Sequence, residues 1–165
     1  MSSLPYLNGY PSDLIAKVEA GMRNGQIAGR LADRYGDRHE VKSNKDLNRY
    51  VQQLKAQYLK TAPPLGRVTF DNRLHVTQNA LGINATTTRV QGRKLRKSCE
   101  IRVASLFKDT APDFLRMIVV HELAHIRHFD HDRKFYKLCT YMEPDYHQLE
   151  FDLRLYLTLQ ESEGL

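Results

Sequence analysis

The chain has 165 residues, of which 41% are hydrophobic and 27% charged, and its formal net charge is +6. A globular protein with a substantial core is expected, as one domain or as one domain with a helical extension. No run of about eighteen apolar residues offers a membrane span. Met1-Ser2-Ser3-Leu4-Pro5-Tyr6 has neither the basic start nor the apolar stretch of a signal peptide, so a cytoplasmic protein is expected. Cys99 and Cys139 lie far apart without CxxC spacing, so neither a disulfide framework nor a thiolate zinc site is indicated, and reduced, packed thiols are expected. The charge alone says only that anionic partners are tolerated or attracted.

The N-terminal third carries helical spacing of apolar residues over Ser12 to Met22, Gln26 to Tyr35 and Ser43 to Leu59, for example Leu47, Val51, Leu54 and Tyr58. Pro63-Pro64 ends this part. From Gly66 to Leu106 short alternations predict a small, mostly antiparallel sheet. Val68 and Phe70 precede a tight turn at Asp71-Asn72, with Leu74 and Val76 on the returning strand. Ala85 to Val90 and the alternation of Cys99, Ile101 and Val103 supply further strands, and Thr86-Thr87-Thr88 is a candidate edge for pairing with an extended peptide.

A helix is predicted from Pro112 to Arg127, with Thr110 as N-cap, Pro112 in the first turn and Asp113 completing a capping box. Two more helices follow, one capped by Asp130 or Asp132 and running to Met142, the other from Tyr146 to Gln160. Helices, then a sheet, then helices make an α+β chain, with a helical region over residues 1–62 and the chemistry within residues 63–165.

The chemistry lies in His121-Glu122-Leu123-Ala124-His125. Positions i and i+4 of a helix share a face, so both imidazoles can meet one ion, with a carboxylate beside the first. The surrounding helix is apolar nearly all the way round, from Phe114 to Ile126, as in a helix at the centre of a domain. Polar groups buried there need partners, and a metal satisfies both rings at once. The bland alternative is a pair of core histidines with ordinary hydrogen bonds. His131 follows after a five-residue gap, long enough for the chain to turn and present a third nitrogen. His121, His125 and His131 would leave a tetrahedral zinc with one open position for water, and Glu122 would act as general base.

Other assignments compete at the third ligand. His128 would need the helix to persist, and Glu143 or Glu150 could serve as a distal carboxylate. Tyr141, Tyr146, His147 and Arg127 are candidates to stabilise an oxyanion, and Asp130, Asp132 and Asp145 are acceptors that could orient the imidazoles. Imidazole donors also accept cobalt, nickel or manganese, but zinc is the expected metal.

The stretch from Phe114 to His125, followed by His131 and Lys134-Phe135-Tyr136, resembles the YgjP-like family of zinc metallopeptidases. The similarity extends to Pro63-Pro64, Arg89-Val90-Gln91-Gly92 and Met142-Glu143-Pro144. More distantly the motif is similar to the WLM and SprT-like domains, zinc proteases acting on protein crosslinked to DNA. The resemblance implies a zincin-like fold, three histidine ligands at 121, 125 and 131, and Glu122 as catalyst. One departure bears on the substrate: many relatives carry Trp-Gly-Ser-Cys where this chain has Gln91-Gly92-Arg93-Lys94.

Three activities fit this pattern. The first is a zinc peptidase. The second is a nucleotide pyrophosphatase, in which Arg89, Arg93, Lys94, Arg96 and Lys97 neutralise the phosphates, although the same residues would also suit a solvated hairpin tip. The third is a protease associated with nucleic acid, for which no DNA-binding motif is present. Peptide or nucleotide is therefore the expected substrate, and no membrane partner is expected.

Overall fold

The computed structural model describes residues 4–74 and 99–163. After a short 3-10 turn at Pro5–Leu7 come three helices, α1 (Ser12–Arg23), α2 (Gln26–Tyr35) and α3 (Asn44–Tyr58). Two strands, β1 (Leu65–Asp71) and β2 (Cys99–Ala104), lead through a 3-10 turn at Ser105–Asp109 into α4 (Pro112–Ala124), α5 (Arg133–Met142) and α6 (Tyr146–Ser162). The arrangement is α+β, as expected from the sequence. Among the described residues no helix is long and apolar enough to cross a membrane.

α4 is the centre of the packing. Phe114, Leu115, Met117, Ile118, Val119, Val120, Leu123 and Ala124 are each no more than 1% exposed, because α3, β2, α5 and α6 cover the helix from different sides. Its start differs from the expected cap. Ala111 occupies the N-cap position with no side-chain bond, while the buried Thr110 donates its hydroxyl to the Phe107 carbonyl of the preceding turn. Pro112 does stand in the first turn, where its missing N–H is unused. The regular helix ends at Ala124 rather than Arg127, since the N–H groups of Ile126 and Arg127 reach only to the carbonyls three residues back, at 3.1 Å each.

The two strands run parallel, which corrects the antiparallel expectation for this pair. Val68 stands opposite Ile101 and Phe70 opposite Val103. The inward alternation was sound, with Val68, Phe70, Ile101 and Val103 buried, but alternation carries no information about strand direction. The Asp71-Asn72 turn exists: the Leu74 N–H donates to the Asp71 carbonyl at 3.3 Å and the Arg73 N–H to Asp71 Oδ1 at 2.9 Å. Leu74 itself is in no strand, and among the described residues β1 takes as its partner the strand that begins at Cys99. Arg73 and Arg102 both bond the Asp71 carboxylate, holding it below the usual carboxylate range. The expected strands at Val76 and Ala85 to Val90, and the Thr86-Thr87-Thr88 edge, lie outside the described residues.

Polar ties fix the N-terminal helices to the rest. Asp152 on α6 is fully buried and accepts from Tyr35 on α2 at 2.5 Å and from Gln148 at 2.9 Å, with Arg30 and Arg34 each at 3.8 Å. Asn44 at the head of α3 accepts from the Phe70 N–H at 2.8 Å, which ties that helix to β1. Ser43 caps α3 by accepting from the Asp46 N–H at 3.0 Å. Ser43→Ala is expected to lower stability by about 1 kcal/mol in urea denaturation while leaving metal binding unchanged. An unaltered urea midpoint would show that the cap is dispensable.

Candidate metal centre

His121 and Glu122 belong to the last turn of α4, and His125 caps it in a helical conformation, its N–H bonded back to the His121 carbonyl. The two imidazoles therefore share a face, with ring centroids 4.8 Å apart. The chain then turns through residues 126–130. Asp132 caps α5 by accepting from the Phe135 N–H at 3.0 Å, and this fixes His131 immediately before the helix. The His131 ring lies 5.1 Å from that of His121 and 4.8 Å from that of His125. One nitrogen from each ring lies within 4.8 Å of the others, and the three together could hold a metal ion.

The hydrogen bonds decide which nitrogens are bare. His125 Nδ1 sits 3.0 Å from the His128 carbonyl, which can only accept, so in the neutral ring Nδ1 carries the proton and Nε2 is a free lone pair. His121 Nδ1 lies 2.8 Å from the Tyr146 hydroxyl, which in turn is 3.4 Å from Glu150 Oε2. A proton chain from His121 through Tyr146 to Glu150 leaves His121 Nε2 bare as well. That atom is buried without a hydrogen-bond partner, and so is Glu122 Oε2. Two orphaned polar atoms in an apolar helix are costly unless something binds them. His125 Nε2 faces His131 Nε2 at 3.0 Å.

Burial acts on every group here. It holds His121 well below the ordinary histidine range, with His125 and His131 adding to the effect, and it lowers His125 and His131 too. All three rings are thus in the neutral form that binds metals. Burial also pushes Glu122 well above the usual carboxylate range, an effect that a nearby cation would oppose. Donor type, protonation and the unpartnered atoms all fit a divalent ion.

The remaining sequence candidates separate clearly. His128 contributes its carbonyl rather than its ring. Glu143 is engaged with Arg116 at 2.9 Å, and Arg127 donates to Thr61 at 2.9 Å. Tyr141 is exposed and packs on Tyr58. Tyr146 stands behind His121, where it orients the ring rather than facing a substrate. Glu150 supports Tyr146, and burial pushes its pKa above the usual carboxylate value. Asp132 is occupied with its helix cap, Asp145 is exposed, and Asp130 acts on His131 and His125 by charge. Arg89, Arg93, Lys94, Arg96 and Lys97 lie outside the described residues.

Phe135 has a role that the pattern did not assign. It is fully buried, and its ring lies 5.1, 4.5 and 4.9 Å from those of His121, His125 and His131. It forms the apolar floor on which all three imidazoles rest. The available signal was its place one helical turn beyond His131.

The family description "YgjP-like, metallopeptidase domain" matches residues 6–156. The chain belongs to the YgjP-like family. It is therefore an enzyme of hydrolase type. A UTP pyrophosphatase of Escherichia coli (strain K12) is 49% identical over 158 residues, covering 96% of this chain and 95% of its own length. No solved structure matches.

Removing the phenol should show how far His121 depends on its support. Tyr146→Phe is expected to weaken divalent-metal affinity roughly 10- to 100-fold in chelator competition, with the circular dichroism spectrum retained. Parental affinity in that variant would mean that the hydrogen bond does not orient the ring.

Proposed function

We propose that the protein is a metal-dependent nucleoside triphosphate pyrophosphatase, which hydrolyses a phosphoanhydride bond to release the monophosphate and pyrophosphate. The observation that carries the hydrolase reading is the convergence of three neutral imidazoles beside the unpartnered carboxylate of Glu122. The choice of a nucleotide is supported by the near full-length similarity to the protein named UTP pyrophosphatase.

In this reading His121, His125 and His131 hold the ion, and zinc is the metal that best suits a set of three imidazoles. A divalent ion so held supplies Lewis-acid charge and makes water more acidic. Glu122, next to the first ligand, takes the proton from the attacking water at its free oxygen Oε2 and passes it to the departing group. Tyr146 and Glu150 hold His121 in the tautomer that presents Nε2. Phe135 keeps the inner side of the site dry, which strengthens the electrostatic effect of every charge there. Arg89, Arg93, Lys94, Arg96 and Lys97 are assigned, from the sequence, to neutralising the phosphates. A reducing cytoplasm suits Cys99 and Cys139, both buried free thiols.

A second reading, hydrolysis of a peptide bond by the same groups, is favoured by the family's description as a metallopeptidase domain. The two differ in substrate, not in machinery. Metal-loaded protein is expected to convert UTP to UMP and pyrophosphate, and Glu122→Gln to slow this by about 100- to 10,000-fold while keeping its metal. Parental turnover in Glu122→Gln would refute the role of the carboxylate. Cleavage of unfolded casein in the absence of any UTP turnover would replace the nucleotide reading with the peptidase one.

A further inference from the structure

Beside the metal centre, the outer face of α5 and the first turn of α6 enclose an open groove of about 740 Å³. Its lining is Arg133, Lys134, Tyr136, Lys137, Thr140 and His147. Among the described residues, three cations and a histidine face this space and no carboxylate does. Arg133, Lys134 and Lys137 make no ion pair with any described residue. A second groove of about 530 Å³ near β1 makes the contrast, because there Asp71 and Glu100 share the lining and Arg73 and Arg102 are bound to Asp71.

The position of the α5 groove is as telling as its charge. Tyr136 forms part of its wall, and the Tyr136 ring lies 6.4 Å from that of His131 and 5.3 Å from that of His147. One side chain thus separates the cations from the outermost imidazole of the triad. Both helices also begin here, α5 at Arg133 and α6 at Tyr146, with no acidic residue in the first turn of either. The N-cap residues Asp132 and Asp145 oppose the positive potential of these helix ends, so the attraction for an anion rests on the cationic side chains.

We propose that this groove seats the terminal two phosphates of a nucleoside triphosphate while the reacting phosphoanhydride lies at the histidine triad. This assignment rests on the nucleotide reading above and gives it a leaving-group site. Arg133 meets phosphate oxygens in bidentate fashion, Lys134 and Lys137 act as point charges, and His147 closes the far end. The bond broken lies between the α and β phosphorus atoms. Water supplies the oxygen to one side of it, and the groove retains the pyrophosphate anion, whose developing charge the cations neutralise. A monophosphate product places no group there, so it leaves without competing.

The test uses metal-loaded, full-length protein, with inorganic pyrophosphate as the calorimetric probe and UTP as substrate. Arg133→Ala/Lys137→Ala is compared with Lys17→Ala/Arg23→Ala, which removes the same charge from the exposed face of α1. The groove variant is expected to bind pyrophosphate roughly tenfold or more weakly and to raise KM for UTP by a similar factor, with metal content unchanged. The α1 variant should match the parent in both. Equal losses in the two variants would reduce the effect to general charge, and parental pyrophosphate affinity in the groove variant would overturn the assignment. A parent that fails to hydrolyse UTP, yet binds pyrophosphate in a manner dependent on Arg133 and Lys137, would refute the nucleotide reading alone and leave the groove as an anion site.

Discussion

Desolvation of two polar residues inside α4 is the constraint on which the molecule depends. His121 and Glu122 are 1% and 2% exposed, on a helix whose other faces are filled by aliphatic and aromatic side chains. Each keeps one polar atom without a partner, which costs roughly 1–3 kcal/mol for a buried group. A protein that needed α4 only for packing would place leucine or alanine there. A cation held by His121, His125 and His131, which together could bind one, would offset the penalty. In the proposed reading, metal binding would therefore stabilise the core, and its loss would loosen the end of α4 before α1 or α2.

The architecture follows from holding that constraint rigid. α4 supplies two imidazoles from one turn, and α5 supplies the third donor through the capped start that follows His131. α6 braces His121 from behind with Tyr146. Phe135 underlies all three rings, so each imidazole rests against one fully buried aromatic. The N-terminal helices stand apart from the site and are tied in through Asp152 and Asn44. The exposed start of α5 carries the long cationic side chains Arg133, Lys134 and Lys137 beside this rigid centre.

Much of this was legible in the chain, and the reasons are physical. His121, Glu122 and His125 announced themselves because i, i+4 spacing within an apolar helix leaves few other uses for three polar residues. α1, α2, α3, α5 and α6 fell close to their predicted limits because their apolar spacing is strictly helical and two of them carry capping side chains, Ser43 and Asp132. Strand direction was not legible, since Val68 and Phe70 alternate in the same way whether the partner runs parallel or antiparallel. The cap of α4 was misread because Thr110 has an equally good acceptor in the Phe107 carbonyl. Tyr146 was singled out as a candidate oxyanion donor but not as the partner of His121, because sequence does not show that α6 lies against α4 there, and the floor position of Phe135 was missed for the same reason. The cations of α5 were hidden for a similar reason, because a basic helix face usually means only solvation.

Anomalous diffraction at the zinc edge, from crystals of metal-loaded protein, tests the central claim most directly. A single peak is expected about 2.0–2.1 Å from the Nε2 atoms of His121 and His125 and from a ring nitrogen of His131, with Glu122 outside bonding distance. A peak on other residues, or a His121 ring turned so that Nδ1 faces the ion and the contact to Tyr146 is broken, would contradict the account.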